Sequence, residues 1–133
     1  MPTVERLTPI LVYEDISRAH DFLVEAFGFA SRGVEHDGEG NSVHAEVYVG
    51  DFAIWLHRVA PEHHMLAARS FRGATGGLYV HVADVDAHYE RARALGVEIE
   101  SELRDQPYGT RDYGVKDLEG HRWWFGSASK PQD

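Results

Sequence analysis

Between Ser42 and Arg58 the chain gathers His44, Glu46, Trp55 and His57 around one sharp turn, a set able to hold a cation, move a proton or ligate a metal. Gly50-Asp51 reads as a two-residue hairpin turn of type II′, with glycine in the first central place. That register sets Glu46 opposite Trp55, His44 opposite His57 and Tyr48 opposite Ala53. The alternate residues, Ala45, Val47 and Val49 against Phe52, Ile54 and Leu56, are wholly apolar. One face must therefore pack on helices, and the polar, aromatic face is left to line a cavity. Beside an indole, Glu46 can attract a ligand's cation or, with its pKa raised by burial, move a proton, which makes it the candidate catalytic residue. The alternative is a structural ion pair with Arg122 or a neighbouring histidine. His44, His57 and Glu46 also have the composition of a two-histidine, one-carboxylate metal site. Cross-strand histidines more commonly bond to water or a carboxylate, so the sequence is read with no metal and no cofactor.

The elements that must carry these residues are written twice. Ile10-Leu11-Val12-Tyr13 is strand-like, and Ile16, Ala19, Phe22, Leu23, Ala26 and Phe27 follow at helical spacing up to Gly28. Leu78 to Val82 is again strand-like, and Val85, His88, Tyr89, Ala92 and Leu95 follow at the same spacing up to Gly96. Asp15 and Asp84 suit helix N-caps, because a carboxylate accepts from the free amides of the first turn; the two glycines suit the C-terminal stops. Each half then predicts three strands: Ala30 to Val34, Ser42 to Val49 and Phe52 to Arg58, and later Val97 to Leu103, Asp112 to Lys116 and His121 to Gly126. An offset of about 69 residues superposes Asp15 on Asp84 and Trp55 on Trp124. The first module spans about 6–58, a linker with His63-His64, Gly73 and Gly76 about 59–76, the second module about 77–126, and a tail 127–133.

These tandem modules, VYEDISRAHDFLVEAFGF in the first and VHVADVDAHYERARALGV followed by PYGTRDYGVKDLEGHRWWFG in the second, resemble the vicinal-oxygen-chelate superfamily of glyoxalases, bleomycin-resistance proteins and extradiol dioxygenases. The likeness runs from roughly Leu7 to Gly126. It implies an α+β fold of two βαβββ modules whose cupped mixed sheets surround a central cavity, the active or binding site, and it implies that the protein is a homodimer, as many relatives are. Relatives that use a metal take one His, Glu or Gln from the first and last strand of each module. Those places fall here on Thr8, Trp55, Leu78 and Trp124. None is a normal ligand, since a divalent metal needs imidazole, carboxylate or thiolate and indole offers only an N–H donor. The resemblance therefore points to the metal-free, resistance-protein-like branch.

By the repeat offset, the second module should line the cavity with Tyr113, Val115, Arg122 and Trp124, joined by Leu78 and Val80 of its first strand. Together with His44, Glu46, Tyr48, Trp55 and His57 they form the candidate ligand-binding set, with Tyr108 at the rim or as a surface anchor. Two tryptophans at equivalent places suit a stacking clamp for a planar or cationic ligand. They equally suit an apolar plug. Asp37 to Asn41 is turn chemistry: its acidic residues would repel a phosphate.

The 133 residues, 43% hydrophobic and 26% charged, fit one folded domain. A formal net charge of -9 disfavours nucleic acid and anionic membrane as partners and suits a neutral or cationic small molecule, although acidity also serves solubility. No run approaches a membrane span, the start Met1 to Arg6 lacks a secretory pattern, and there is no cysteine, so the chain reads as cytoplasmic. Three functions stay open: a metal-free binder that sequesters an aromatic or cationic compound such as an antibiotic; a lyase, isomerase or dioxygenase using Glu46 with His44 and His57; and a ligand-free domain of a larger assembly.

Overall fold

The structure, a computed structural model, describes residues 2–129. Its elements run β1 (Ile10–Tyr13), α1 (Ile16–Phe27), β2 (Ala30–His36), β3 (Ser42–Val49), β4 (Phe52–Arg58), β5 (Leu78–His81), α2 (Val85–Ala94), β6 (Glu98–Asp105), β7 (Thr110–Lys116) and β8 (Arg122–Ala128). Both helices start where a carboxylate can cap them: Asp15 accepts from the amide of Arg18 and Asp84 from that of Ala87. Helix α1 stops at Gly28, whose φ of 80° places it in the left-handed region that closes a helix without a side-chain clash. The linker winds through two short 3-10 turns, Pro61–His63 and Ala68–Ser70. Strand β8 runs on to Ala128, so the expected tail starts later than residue 127; residues 130–133 lie outside the described residues.

Each module folds into a mixed four-stranded sheet, β1-β4-β3-β2 and β5-β8-β7-β6. β1 lies parallel to β4 and β5 parallel to β8, while the remaining pairs are antiparallel. The two βαβββ modules expected from the repeat are thus present, in an α+β fold. Helix α1 lays Ile16, Ala19 and Leu23 over Ala45, Val47 and Leu56 of the first sheet, all buried. On the second sheet Tyr113, Val115, Trp123 and Phe125 are buried beneath α2.

The modules meet through helices and turns. The ring of Phe27, at the end of α1, lies 5.5 Å from that of Trp123 and 4.7 Å from that of Phe125, so both helix-covered faces share one core. The β7–β8 turn adds a polar joint. Asp117, 5% exposed, accepts from the Tyr13 hydroxyl and from Trp123 Nε1 at 3.0 Å. The carboxylate of Glu119 accepts from the backbone amides of Glu14 (2.6 Å) and Asp15 (2.9 Å), pinning the entry to α1.

Half-buried His88 of α2 completes the joint. Its Nε2 donates to the Phe27 carbonyl (2.9 Å), and in the neutral ring Nδ1 accepts from the Tyr113 hydroxyl (2.5 Å). Burial first, and then the Arg91 charge, push its pKa below the usual 6.5, against the opposing bond to Phe27. A lowered folded-state value means that the unfolded chain binds the extra proton. The stabilisation is therefore complete above about pH 6.5 and is lost as pH falls through and below that value. Urea titrations at pH 7.5 and 5.5 should show a fall in wild-type stability that is smaller in His88→Gln; equal falls would contradict this role.

Candidate functional site

The β3–β4 hairpin has the register its turn demands. Gly50 has a φ of 57° and Asp51 stays on the negative side, as a type II′ turn requires. His44 pairs with His57, Glu46 with Trp55 and Tyr48 with Ala53, on the face turned away from α1. The His44 ring meets Trp55 edge-on at 6.0 Å and 69°, and Arg32 of β2 lies 4.5 Å over the Tyr48 ring. Trp55 remains 37% exposed. Among the described residues Glu46 has no hydrogen bond or ion pair, and Arg122, its suggested partner, instead pairs with Glu100 at 3.0 Å. That ion-pair alternative is thereby corrected: the second sheet supplies its own counter-charge. His57 Nδ1 donates to the Arg58 carbonyl (2.6 Å), and among the described residues no three His, Asp or Glu side chains converge as a metal would need.

In the second sheet the pairing moves the expected lining by one residue. Trp124 pairs with Tyr79 on one side and Gly114 on the other, so these three share the helix-free face with Arg122. Leu78 pairs with Trp123, Val80 with Phe125 and Tyr113 with Phe125, so Leu78, Val80, Tyr113 and Val115 belong to the helix-covered face. Their expected place beside Trp124 is corrected, because a slip of one residue in a strand reverses its faces. The offset that links Trp55 to Trp124 carries Thr8 to Gly77, and it is Tyr79, not Leu78, that flanks Trp124 in β5. Tyr108 is 72% exposed in the turn before β7.

Sequence reasoning missed Tyr79, His81 and Asp112. Asp112 is 4% exposed and takes three donors: the Tyr79 hydroxyl (3.0 Å), Gln106 Nε2 (2.8 Å) and the Thr110 hydroxyl (2.9 Å). The Tyr79 phenol is pushed above its ordinary value of 10, by burial first and also by the carboxylate of Asp112, with the Thr110 bond opposing. It therefore keeps its proton at neutral pH. Its ring lies 5.0 Å from that of His81. The signal available was the alternation in Leu78-Tyr79-Val80-His81, where every second residue is polar-tipped and aromatic.

Among the described residues no hydrogen bond, ion pair or ring contact joins one helix-free face to the other. An apolar cleft of about 640 Å³ separates the hairpin tip from β5, lined by Leu7, Pro9, Phe52, Leu78, Tyr79 and Val80 among others. A larger hollow, about 1200 Å³, lies at the β5–α2 corner around Asp84, Asp86, Asp105 and Arg111. Arg111 already pairs there with Asp86 and Asp105, so the hollow offers less to a ligand than the tryptophan-bearing faces. The resemblance implies metal positions at Thr8, Trp55, Leu78 and Trp124, and in the first strands Ile10 pairs with Trp55 and Tyr79 with Trp124. This set does not fit a divalent metal, since it contains no imidazole or carboxylate.

The family model described as Glyoxalase/Bleomycin resistance protein/Dioxygenase superfamily matches residues 4–125. An uncharacterized protein of Mycobacterium tuberculosis is 32% identical over 123 residues, which cover 90% of this chain and 72% of that protein. Among solved structures, TioX from Micromonospora sp. ML1 is 32% identical with a TM-score of 0.73, covering 97% of this chain and 100% of that one. TnmS3, an antibiotic binding protein from Streptomyces sp. CB03234, is 24% identical with a TM-score of 0.73, covering 97% and 99%, a likeness of fold.

Proposed function

The chain belongs to the Glyoxalase/Bleomycin resistance protein/Dioxygenase superfamily, and from that premise we propose that it is a metal-free binding protein that sequesters a planar aromatic or cationic compound, such as an antibiotic. The observation that carries this reading is the pair Trp55 and Trp124, each on a helix-free sheet face at a place where the resemblance implies a metal ligand, with the unpaired carboxylate of Glu46 next to the first indole. Stacking on indole supplies affinity for a flat ring, and a carboxylate without an internal partner supplies it for positive charge. The antibiotic binding protein TnmS3 has this fold, which supports a binding role without naming a ligand.

A second copy of the chain completes the site. Each chain presents two open faces with large exposed rings, Trp55 at 37% and Tyr79 at 40%, and a homodimer would set the first-sheet face of one copy against the second-sheet face of the other. On this account the complex is stoichiometric, its chemistry is enclosure, and Glu46 offsets charge. A protein prepared without chelator should carry no stoichiometric Zn, Fe, Mn or Ni; one equivalent of any of these would contradict the metal-free reading.

Titration with a panel of cationic aromatic antibiotics, followed by tryptophan emission, tests the function. A saturable quench is expected for some members, weakened about tenfold in Glu46→Gln. No saturable quench by any of them would overturn the proposal. Sedimentation of the same samples should give twice the monomer mass.

A further inference from the structure

Trp124 lies down where a tryptophan on a sheet would ordinarily stand up. A β-carbon added at Gly77, on β5's side, would collide with Cζ3 of its six-membered ring. One added at Gly114, on β7's side, would come within 3.0 Å of Nε1 and 3.2 Å of Cδ1. The two ends of the indole therefore rest over two residues without side chains, and the ring spans three strands with one π-face outward. Trp55 has no such trough, since its neighbours in register are Ile10 and Glu46.

The same device recurs beside it. A β-carbon at Gly126, two residues on from Trp124, would overlap the Tyr79 hydroxyl, so Gly126 is the gap that lets the phenol reach Asp112. Both Asp112 oxygens only accept, as an ionised carboxylate does, from Tyr79, Thr110 and Gln106. Among the described residues no cationic side chain pairs with this buried carboxylate, so its charge is spread over three neutral donors. The Tyr79 proton is committed to Asp112. The phenol oxygen also meets the Thr110 hydroxyl and has a second lone pair for an outside donor, on a side chain still 40% exposed.

We propose that the helix-free face of the second sheet is a built subsite for a planar ring bearing a cationic N–H donor: the ring stacks on Trp124 and the N–H bonds to the Tyr79 oxygen, backed by the charge of Asp112. This deepens the function proposed above and rests on it, naming the half of the site that reads the ligand. At about 3.3 Å per residue the Tyr79 oxygen lies roughly 7 Å along β8 from the base of Trp124, so the donor belongs at the edge of a fused ring system and not at its centre. Asp112, Gln106 and Thr110 act as positioning residues, holding one hydroxyl in one orientation.

The test uses two probes at pH 7.5, 9-aminoacridine, a planar cation with N–H donors, and acridine, neutral and without them, titrated calorimetrically into the full chain. Tyr79→Phe should weaken 9-aminoacridine about tenfold or more and change acridine by less than twofold, while Trp124→Leu should weaken both. Asp112→Asn, which keeps a hydrogen-bonding side chain without the charge, should also weaken 9-aminoacridine selectively, and it serves should Tyr79→Phe fold poorly. Unchanged 9-aminoacridine binding in Tyr79→Phe and Asp112→Asn, with a loss in Glu46→Gln or Trp55→Leu, would overturn the subsite and leave the binding function standing. Wild-type protein that binds neither probe would remove the function and the subsite together.

Discussion

Asp117→Ala is expected to lower the free energy of unfolding by roughly 3–5 kcal/mol, read from urea midpoints at pH 7.5, because four donors lose their acceptor in a dry interior. Two are side chains from different modules, the Tyr13 hydroxyl and Trp123 Nε1, and two are the amides of Glu119 and His121. Burial holds the Tyr13 phenol well above its ordinary value, and the charges of Asp117 and Glu119 push the same way, so Tyr13 cannot compensate by ionising. Asp117→Asn, which keeps an acceptor oxygen, should lose clearly less than alanine. A loss under about 1 kcal/mol for alanine would mean that the joint between the modules is carried by apolar packing alone.

Two adjacent tryptophans should respond in opposite ways. Trp123 is fully buried, with its ring 5.4 Å from that of Phe29 and 5.5 Å from that of Phe27, and Trp123→Ala should cost about 3–5 kcal/mol of stability. Trp124 is half-buried on the other face over Gly77 and Gly114, so Trp124→Ala should cost less than about 2 kcal/mol while removing most of the affinity for an aromatic ligand. Thermal melts and ligand titrations on both variants separate the two. A stability loss in Trp124→Ala equal to that in Trp123→Ala would make it the plug that its sequence position also allowed.

The first module was legible in the sequence because one residue fixes its register. Gly50 specifies the turn, the turn fixes the pairing, and the alternation from His44 to His57 then assigns the side chains to a face. Capping residues were equally local signals, and Asp15, Gly28 and Asp84 act as expected. The second module offered no such anchor. Trp123 and Trp124 are both aromatic, so alternation cannot say which is buried, and the repeat offset applied one residue out at Leu78 placed β5 on the wrong face. Asp112 and Asp117 carried no signal of their roles, since besides local donors each collects a tyrosine hydroxyl that is distant in the chain. The Asp117 to Gly120 segment reads locally as a turn, yet it binds Tyr13 from 104 positions earlier.

What the account requires above all is that a ligand touch the helix-free faces and leave the shared core alone. The chain has three tryptophans, so its ¹⁵N-labelled protein gives three indole N–H signals, assignable by substituting each in turn. Trp55 and Trp124 report the two helix-free faces, and Trp123, hydrogen-bonded to Asp117, reports the core. Titration with 9-aminoacridine should move the signals of Trp124 and Trp55 along saturable paths and leave that of Trp123 in place. Movement confined to Trp123, or no movement at saturating probe, would contradict the assignment of the site.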